Sequence, residues 1–504
     1  MKKSIICVMC IMLCAVPGGA FGFGFDDDDE APAQALSVAL GGEIGSEFLG
    51  YVYDFDKEKI DESSLGEIVS GSLNFSASGA NVDAYIGLNL SPRSLYDLTR
   101  LGSVTAAYTP LILDEAYLRA FFGPVNIEAG YRKLVWGKAD SLGPLDIINP
   151  LDYSDLTNIT DIQAIKIARP MVRLTWNTGG FSKLEAVFVP NFAGHRFASS
   201  GRWTPSQVRE TTETVNTVIR EWADDRAQFL QLMLPPEYAA LVPYLIPAII
   251  SQINFSDFSQ FYPDTSGLKY FQTGLRYTAT VGSVDIGGQY FYGNLFQPAV
   301  NLSAEEIEDY LNELLANNLQ SDTPGAYTGN PDFIRYNRFH QIGIDYAQVL
   351  FGFNLRAEFA AHITEDLSGD DGKVINPFLA WSFGFDREIV AGISANIQCT
   401  ETIRLLNNKI GSDKAKDFEA GTAPTATRLT MMVSKSFLKG DLETKLMAIW
   451  DIENSDCYII PSLTWAIKDV KAELCAGVFT GKESGELGQY WENAFVKIGL
   501  KYSF

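Results

Sequence analysis

Apolar and polar residues alternate with a period of two in stretch after stretch of this chain. Val82, Ala84, Ile86, Leu88 and Leu90 alternate with Asp83, Tyr85, Gly87 and Asn89. Ala116, Leu118, Ala120 and Phe122 alternate with Glu115, Tyr117, Arg119 and Phe121. Val125, Ile127, Ala129 and Tyr131 alternate with Asn126, Glu128, Gly130 and Arg132, and Phe353, Leu355, Ala357 and Phe359 with Asn354, Arg356 and Glu358. The final stretch, Tyr490 to Phe504, does the same: Val496, Ile498, Leu500, Tyr502 and Phe504 share one face, and Lys497, Gly499, Lys501 and Ser503 the other. Successive side chains of a strand point to opposite faces, so each stretch predicts a strand with one apolar and one polar side. Sustained along the chain, the pattern predicts antiparallel pairing with the two faces in different solvents.

The connections between these stretches fall into two lengths. Short turns are expected near Ser78–Asn81, Gly123-Pro124, Asn177–Gly180, Val281-Gly282, Phe351-Gly352, Phe385-Asp386, Lys439-Gly440 and Lys468-Asp469. Longer links at about 55–66, 91–110, 137–170, 191–267, 296–334, 365–373, 404–425, 453–457 and 482–489 alternate with them. Bacterial outer-membrane barrels have short periplasmic turns and long outer loops, so a periplasmic Phe504 puts every long link outside. The expected fold is all-β: a transmembrane antiparallel up-and-down β-barrel of about eighteen strands, beginning near Leu36, with about sixteen as the alternative. The first and last strands should pair to close the wall. A solenoid would show a fixed repeat, and none is visible.

Two of the outer loops carry helical spacing. Val215, Val218, Ile219, Trp222 and Phe229 recur as on one helix face, and Pro235-Pro236 then breaks the chain. The apolar run Tyr238 to Ile253 contains Pro243 and Pro247 and is too short to cross a bilayer. In 303–318, Ser303 and Glu306 form a capping box, and Ile307, Tyr310, Leu311, Leu314 and Leu315 form one stripe.

Composition agrees with this picture. The chain has 504 residues, 46% of them hydrophobic and 12% aromatic, with 43 Gly, and its mean hydropathy is +0.01. Polar lumen residues cancel lipid-facing ones in a barrel, whereas a helical membrane protein would be far more apolar. Lys2-Lys3, the apolar run Ile5–Val16 and the small residues up to Ala20 predict a cleaved signal peptide over 1–20. A lipoprotein site at Cys14 is the alternative, opposed by the bulk of Leu13. An acidic segment follows over 21–34, with Asp26–Glu30 read as a solvated run and, secondarily, as a calcium site; the barrel would occupy 35–504. Net charge is −23, which excludes general nucleic-acid binding. Only Cys399, Cys457 and Cys475 remain after residue 20, so no disulfide framework is implied, although a Cys457–Cys475 pair stays open.

One connection carries a signature. The fifth strand runs into Gly130-Tyr-Arg132-Lys-Leu-Val-Trp136-Gly137-Lys-Ala-Asp140, followed by Asp146-Ile-Ile-Asn149-Pro150-Leu-Asp152. This resembles a domain-of-unknown-function family of Gram-negative outer-membrane barrels with a WG…DxINPxD motif. The resemblance implies a transport-associated protein, loosely similar to fatty-acid-uptake and porin-type barrels. It also implies that the terminal Phe504 is an assembly signal, read in the periplasm. The residues alone place Trp136 at a membrane interface and Asp146 and Asp152 around an Asn-Pro turn. A long loop with ordered turn chemistry is expected either to fold into the lumen over 137–170 or to cap the rim.

Catalytic and metal-ligating patterns are missing from the sequence: His195, His340 and His362 lack ligand spacing, and no nucleophile elbow or phosphate loop occurs. No cofactor and no enzymatic activity are expected. The inward faces carry the functional candidates, Glu115, Arg119, Glu128, Arg132 and Arg173, together with Asp140, Asp146, Asn149 and Asp152 of the loop. Together they predict a polar, mixed-charge lumen, with the overall acidity favouring cations at the mouth. Trp222, Phe229, Leu241, Tyr244, Leu245 and Ile249 are the candidate hydrophobic-ligand or lid residues of loop 191–267. The expected function is a channel or transporter for passive passage of hydrophobic or amphipathic small molecules. A water-filled, cation-leaning porin and a surface interaction or adhesion protein are the alternatives. Expected partners are outer-membrane lipid, the barrel-assembly machinery, a small-molecule solute and a periplasmic transport partner.

Overall fold

The structure is a computed structural model that describes residues 36–56, 65–99, 108–250, 262–300, 303–320, 333–414 and 416–504. The expected signal peptide and acidic segment lie outside the described residues. Eighteen strands form one antiparallel sheet. In chain order they are β1 (Ser37–Tyr51), β2 (Leu65–Ser78), β3 (Val82–Leu90), β4 (Leu113–Phe122), β5 (Val125–Arg132), β6 (Arg169–Gly179), β7 (Ser182–Val189), β8 (Gln272–Val281) and β9 (Val284–Asn294). There follow β10 (Arg338–Leu350), β11 (Phe353–Thr364), β12 (Phe378–Val390), β13 (Ile393–Arg404), β14 (Thr425–Phe437), β15 (Leu442–Asp451), β16 (Asp456–Ile467), β17 (Val470–Thr480) and β18 (Phe495–Ser503).

Each strand pairs with its sequence neighbour, and β1 pairs with β18 from Glu43 opposite Ser503 to Tyr51 opposite Phe495. The sheet is therefore closed and has no free edge. The seam extends to the last residue: Phe504 N donates to Gly42 O at 3.0 Å and Gly42 N to Phe504 O at 3.1 Å. A Cβ at position 42 would press on the Phe504 ring and on the Ser72 carbonyl, which explains a glycine there.

The two faces of the wall separate as the alternation predicts. Val38, Leu40, Ile44 and Phe48 of β1, Ile342 and Ile344 of β10, and Ile498, Leu500 and Tyr502 of β18 are exposed on the outside. A continuous belt of this kind exceeds what a water-facing surface carries and fits hydrocarbon. Inside, Glu128, Glu185, Arg276, Asp345, Glu358 and Lys497 are buried.

Short turns lie at the end of the sheet where β1 begins and β18 finishes, and the described parts of the long connections lie at the other. One expected turn is misplaced. Phe385 and Asp386 lie inside β12, and the chain reverses at Ala391-Gly392, both with positive φ. Asp386 mimics a turn residue in sequence but faces inward, where Arg356 Nη1 meets it at 2.6 Å. The last strand begins at Phe495 rather than Tyr490, because Gly488–Asn493 coils into a 3₁₀ helix. Cys457 and Cys475 are both free; opposite parity in β16 and β17 sends one outward and the other into the lumen.

Three helices pack together at the long-loop end: α1 (Ser206–Met233), α2 (Val242–Ile250) and α3 (Ala304–Gln320). Val215, Val218, Ile219 and Trp222 meet Val242, Ile246, Ile307, Leu311, Leu314 and Leu315 in one core. Ser303 Oγ accepts from Glu306 N at 3.2 Å, capping α3. The cap is tied to the rim on two sides, by Ser206 N donating to Gln489 Oε1 at 2.6 Å and by Lys373 Nζ to Glu306 Oε1 at 2.6 Å.

Because the outer face meets lipid, Ile344→Arg in the middle of β10 is expected to destabilise the barrel by about 2–4 kcal/mol. The inward Ser462→Arg should cost under about 1 kcal/mol. Denaturant titration in lipid vesicles measures both; equal costs would contradict this assignment of faces.

Candidate functional site: a loop fastened across the lumen

The chain leaves β5 at Arg132 and re-enters the wall at Arg169, and the segment between them crosses the interior. Its anchors lie on distant strands. Asp140 N and Ser141 N donate to Gln398 Oε1 of β13 at 2.9 and 3.1 Å. Gln289 of β9 donates to Leu145 O at 3.0 Å and Gln341 of β10 to Pro144 O at 2.7 Å. On the other side, Tyr458 OH of β16 donates to Leu156 O at 3.0 Å, and Lys497 Nζ of β18 to Asn158 Oδ1 at 2.7 Å. The segment is thus a strap tied to two separate arcs of the wall, β9–β13 and β16–β18.

Its tightest anchor is Glu358 of β11. The carboxylate accepts from Lys138 N, from Ala139 N at 2.7 Å and from Leu145 N at 3.3 Å, and it is almost fully buried. Backbone amides therefore neutralise a charge that would otherwise be costly to bury. Two glycines make this approach possible. Gly137 has φ +102°, and a Cβ there or at Gly143 would strike the Glu358 carboxylate. On the wall, Gly343 leaves the space that Leu145 fills.

The signature residues fasten the strap to itself. Asn149 Oδ1 accepts from Leu134 N at 2.8 Å, and its Nδ2 donates to Arg132 O and Ile167 O at 2.8 and 2.9 Å. Asp146 holds Lys166 Nζ at 2.7 Å, which also donates to Leu134 O at 2.9 Å. Burial lifts the Asp146 carboxyl above its ordinary range even beside Lys166. Asp152 binds Arg196 Nη1 at 3.0 Å and Ser154. Asp146 and Asn149 are therefore loop fasteners. Trp136 departs from the interface expectation: it is 3% exposed, inside a core with Ile148, Met171, Val187, Phe291 and Phe339. The strand ends before it, so the tryptophan turns inward with the strap.

A second segment, 190–205, runs beside the first. Arg196-Phe197 pairs in parallel with Asp152-Tyr153, and Leu151 N donates to His195 Nδ1 at 2.9 Å. Burial pushes the His195 pKa down to about 4, so the ring stays neutral and can accept this bond. Further along, Trp203 packs against Tyr51, Phe479 and Tyr490 on the far side.

The wall candidates do converge. Glu128 receives Arg119 Nε at 2.7 Å, Arg132 Nε at 3.3 Å and Arg173 Nη1 at 3.4 Å; Arg132 also reaches Glu115 at 3.4 Å, and Arg173 reaches Glu185. Asp140 at the strap tip meets Arg356, which bridges to Asp386, and accepts from Asn396 Nδ2 at 2.8 Å. These Asp140, Arg356 and Asp386 side chains are part-exposed, so they form the wet edge of the constriction. Of the lid candidates, Trp222 is buried within the helix cap with Nε1 donating to Asn312, and Leu245 is half-buried against the same core. Phe229, Leu241 and Tyr244 are exposed, and the side chain of Ile249 lies outside the described residues. Glu358, Gln289, Gln341 and Gln398 were not singled out as strap anchors by sequence; only their inward parity marked them.

Glu358→Ala should loosen the strap by about 3 kcal/mol, as charge-assisted bonds are lost. Limited proteolysis between residues 138 and 145 reads this; unchanged resistance would show that Glu358 is not the anchor. For His195 the sign is set by its depressed pKa. The stabilisation from its tie to Leu151 is complete above the ordinary value of 6.5 and declines as pH falls from there toward about 4, below which the folded ring itself is protonated and the bond breaks. The protection of the Leu151 amide, its exchange rate relative to that of an unstructured amide at the same pH, should fall over that interval.

Neither known sequence families nor curated proteins give a match to this chain. Solved structures similar in fold include OccAB4 of Acinetobacter baumannii, at TM-score 0.44 and 8% identity, covering 94% of this chain and 98% of that one. OccK11 (OpdR) of Pseudomonas aeruginosa aligns at 0.43 and 8%, covering 93% and 96%. A BenF-like porin of Pseudomonas fluorescens aligns at 0.43 and 9%, covering 93% and 98%.

Proposed function

We propose that this protein is an outer-membrane channel for the passive passage of small amphipathic or hydrophobic molecules, narrowed by the strap 133–168. The observation that carries the reading is the strap itself. It joins one side of a charged lumen to the other, through Glu358 and Gln398 on one flank and Tyr458 and Lys497 on the other. The lumen charges support the same view: Arg119, Arg132 and Arg173 are matched by Glu115, Glu128 and Glu185, which gives a paired wall with little bias toward either sign of ion.

The exposed apolar residues Phe229, Leu232, Met233, Leu241 and Tyr244 on the helix cap support capture of an apolar solute at the outer side. Phe504, hydrogen-bonded into the seam, fits a role as the residue read by assembly machinery as the last strand arrives. The likeness to the WG…DxINPxD family fits a motif whose residues hold a strap in place.

Planar bilayers test the reading. The native protein should show small conductance steps, and removal of 138–145 should enlarge them severalfold. Large ohmic steps from the native protein would favour the open porin instead. Deletion of 205–255 should reduce uptake of a hydrophobic solute; unchanged uptake would remove the cap from the mechanism.

A further inference from the structure

On the long-loop side of the strap lies a cavity of about 290 Å³. That is close to the lower end of the ~300–1,000 Å³ range of small-molecule pockets. Ile147, Leu295, Phe296, Phe339, Ile375 and Phe378 give it an apolar and aromatic wall. Its polar lining is more specific.

His362 lines the cavity, 4% exposed, with its imidazole between the rings of Phe378 at 4.2 Å and Phe339 at 5.5 Å. Its tautomer follows from a relay of amides. The carbonyls of Pro144 and Leu145 can only accept, so the Gln341 and Gln289 atoms facing them at 2.7 and 3.0 Å are nitrogens. Gln341 Nε2 also lies 2.9 Å from His362 Nε2, so that ring nitrogen must be the acceptor. In the neutral ring the proton is then on Nδ1, and Nδ1 is buried with no hydrogen-bond partner. Asn294, 2% exposed, also lines the cavity. Its Nδ2 donates to Tyr336 O at 2.9 Å, which leaves Oδ1 as a buried acceptor without a partner.

Two residues that line the cavity thus carry an unmatched donor, His362 Nδ1, and an unmatched acceptor, Asn294 Oδ1, in an apolar setting, and unmatched buried polar groups are costly. The cavity offers no free charge. Arg404 Nε holds Glu419 Oε1 at 2.6 Å, and the other Glu419 oxygen accepts from Asn376 N at 2.8 Å.

We propose that this cavity binds a neutral, ring-sized organic solute carrying a group that both accepts and donates a hydrogen bond, such as a hydroxyl or a primary amide. The proposal deepens the channel reading and rests on it, naming the class of solute held at the outer mouth. An anion is disfavoured because Arg404 is already paired, and a purely apolar ring leaves both buried groups unmatched.

The experiment is calorimetric titration of the full chain in lipid nanodiscs with benzamide, benzyl alcohol, benzoate and toluene. Benzamide and benzyl alcohol should bind, with benzoate and toluene each weaker by about tenfold or more. His362→Phe keeps the stacked ring and removes the donor; it should weaken benzamide about tenfold and leave toluene unchanged. Thr402→Phe, filling the cavity from β13, should abolish binding of all four probes. Heat-modifiable migration verifies that each variant is folded. Benzoate binding as tightly as benzamide, no effect of His362→Phe, or no binding to a folded barrel would each overturn the proposal. Bilayer conductance of the same preparations separates the two readings. Conductance without benzamide binding removes the pocket and keeps the channel, whereas binding without conductance keeps the pocket and removes the channel.

Discussion

A buried carboxylate held by backbone amides is the constraint on which the interior of this barrel depends. Glu358 has no cation within ion-pair distance among the described residues, so its charge is met by the amides of Lys138, Ala139 and Leu145. That arrangement dictates the rest of the local sequence. Residue 137 must be glycine because its φ is positive and the carboxylate occupies the place of a Cβ, and residue 143 must be glycine for the second reason alone. Leu145 is carried against β10, where only a glycine at 343 leaves room. A tryptophan next to Gly137 then has nowhere to go but inward, onto Phe291.

The charged wall and the strap obey the same rule by different means. Away from the strap, Arg and Glu side chains on facing register positions pair directly, as Arg119 and Glu128 do. Where the strap shuts out water, three glutamines flank Glu358: Gln289, Gln341 and Gln398 contact backbone groups of the strap without adding a further charge. Neutral amides suit this position, since each can donate to and accept from a peptide at once.

How much of this could be read from the chain differs between wall and interior. Alternation in Val125–Arg132 and Phe353–Phe359 identifies both face and strand, because period two is a local property. The pairing of Arg132 with Glu115 was likewise legible, since a hairpin aligns neighbours in sequence. Asp386 misled because an aspartate after an apolar run looks like a turn, and only the partner Arg356 on the next strand shows otherwise. Asn149 and Asp146 were visible as candidates, but their role was not: a fastener and a solute ligand use the same atoms. The partnership of Glu358 with residues 138–145 was beyond reach, since nothing local to either stretch mentions the other.

The distance along the chain between the strap and its anchors bears on how the barrel is made. Lys138 and Glu358 are 220 residues apart, Asp140 and Gln398 are 258 apart, and Asn158 and Lys497 are 339 apart. Contacts of such separation form late, after the chain between them is ordered. The strap cannot be fully seated until β18 is in place, so a half-built barrel has a hollow centre. Seating then senses the whole circumference: a wall closed one residue out of register would turn Lys497 toward lipid and leave Asn158 without its partner. The full set of strap anchors, Glu358 and Gln398 together with Tyr458 and Lys497, therefore exists only in a correctly closed wall.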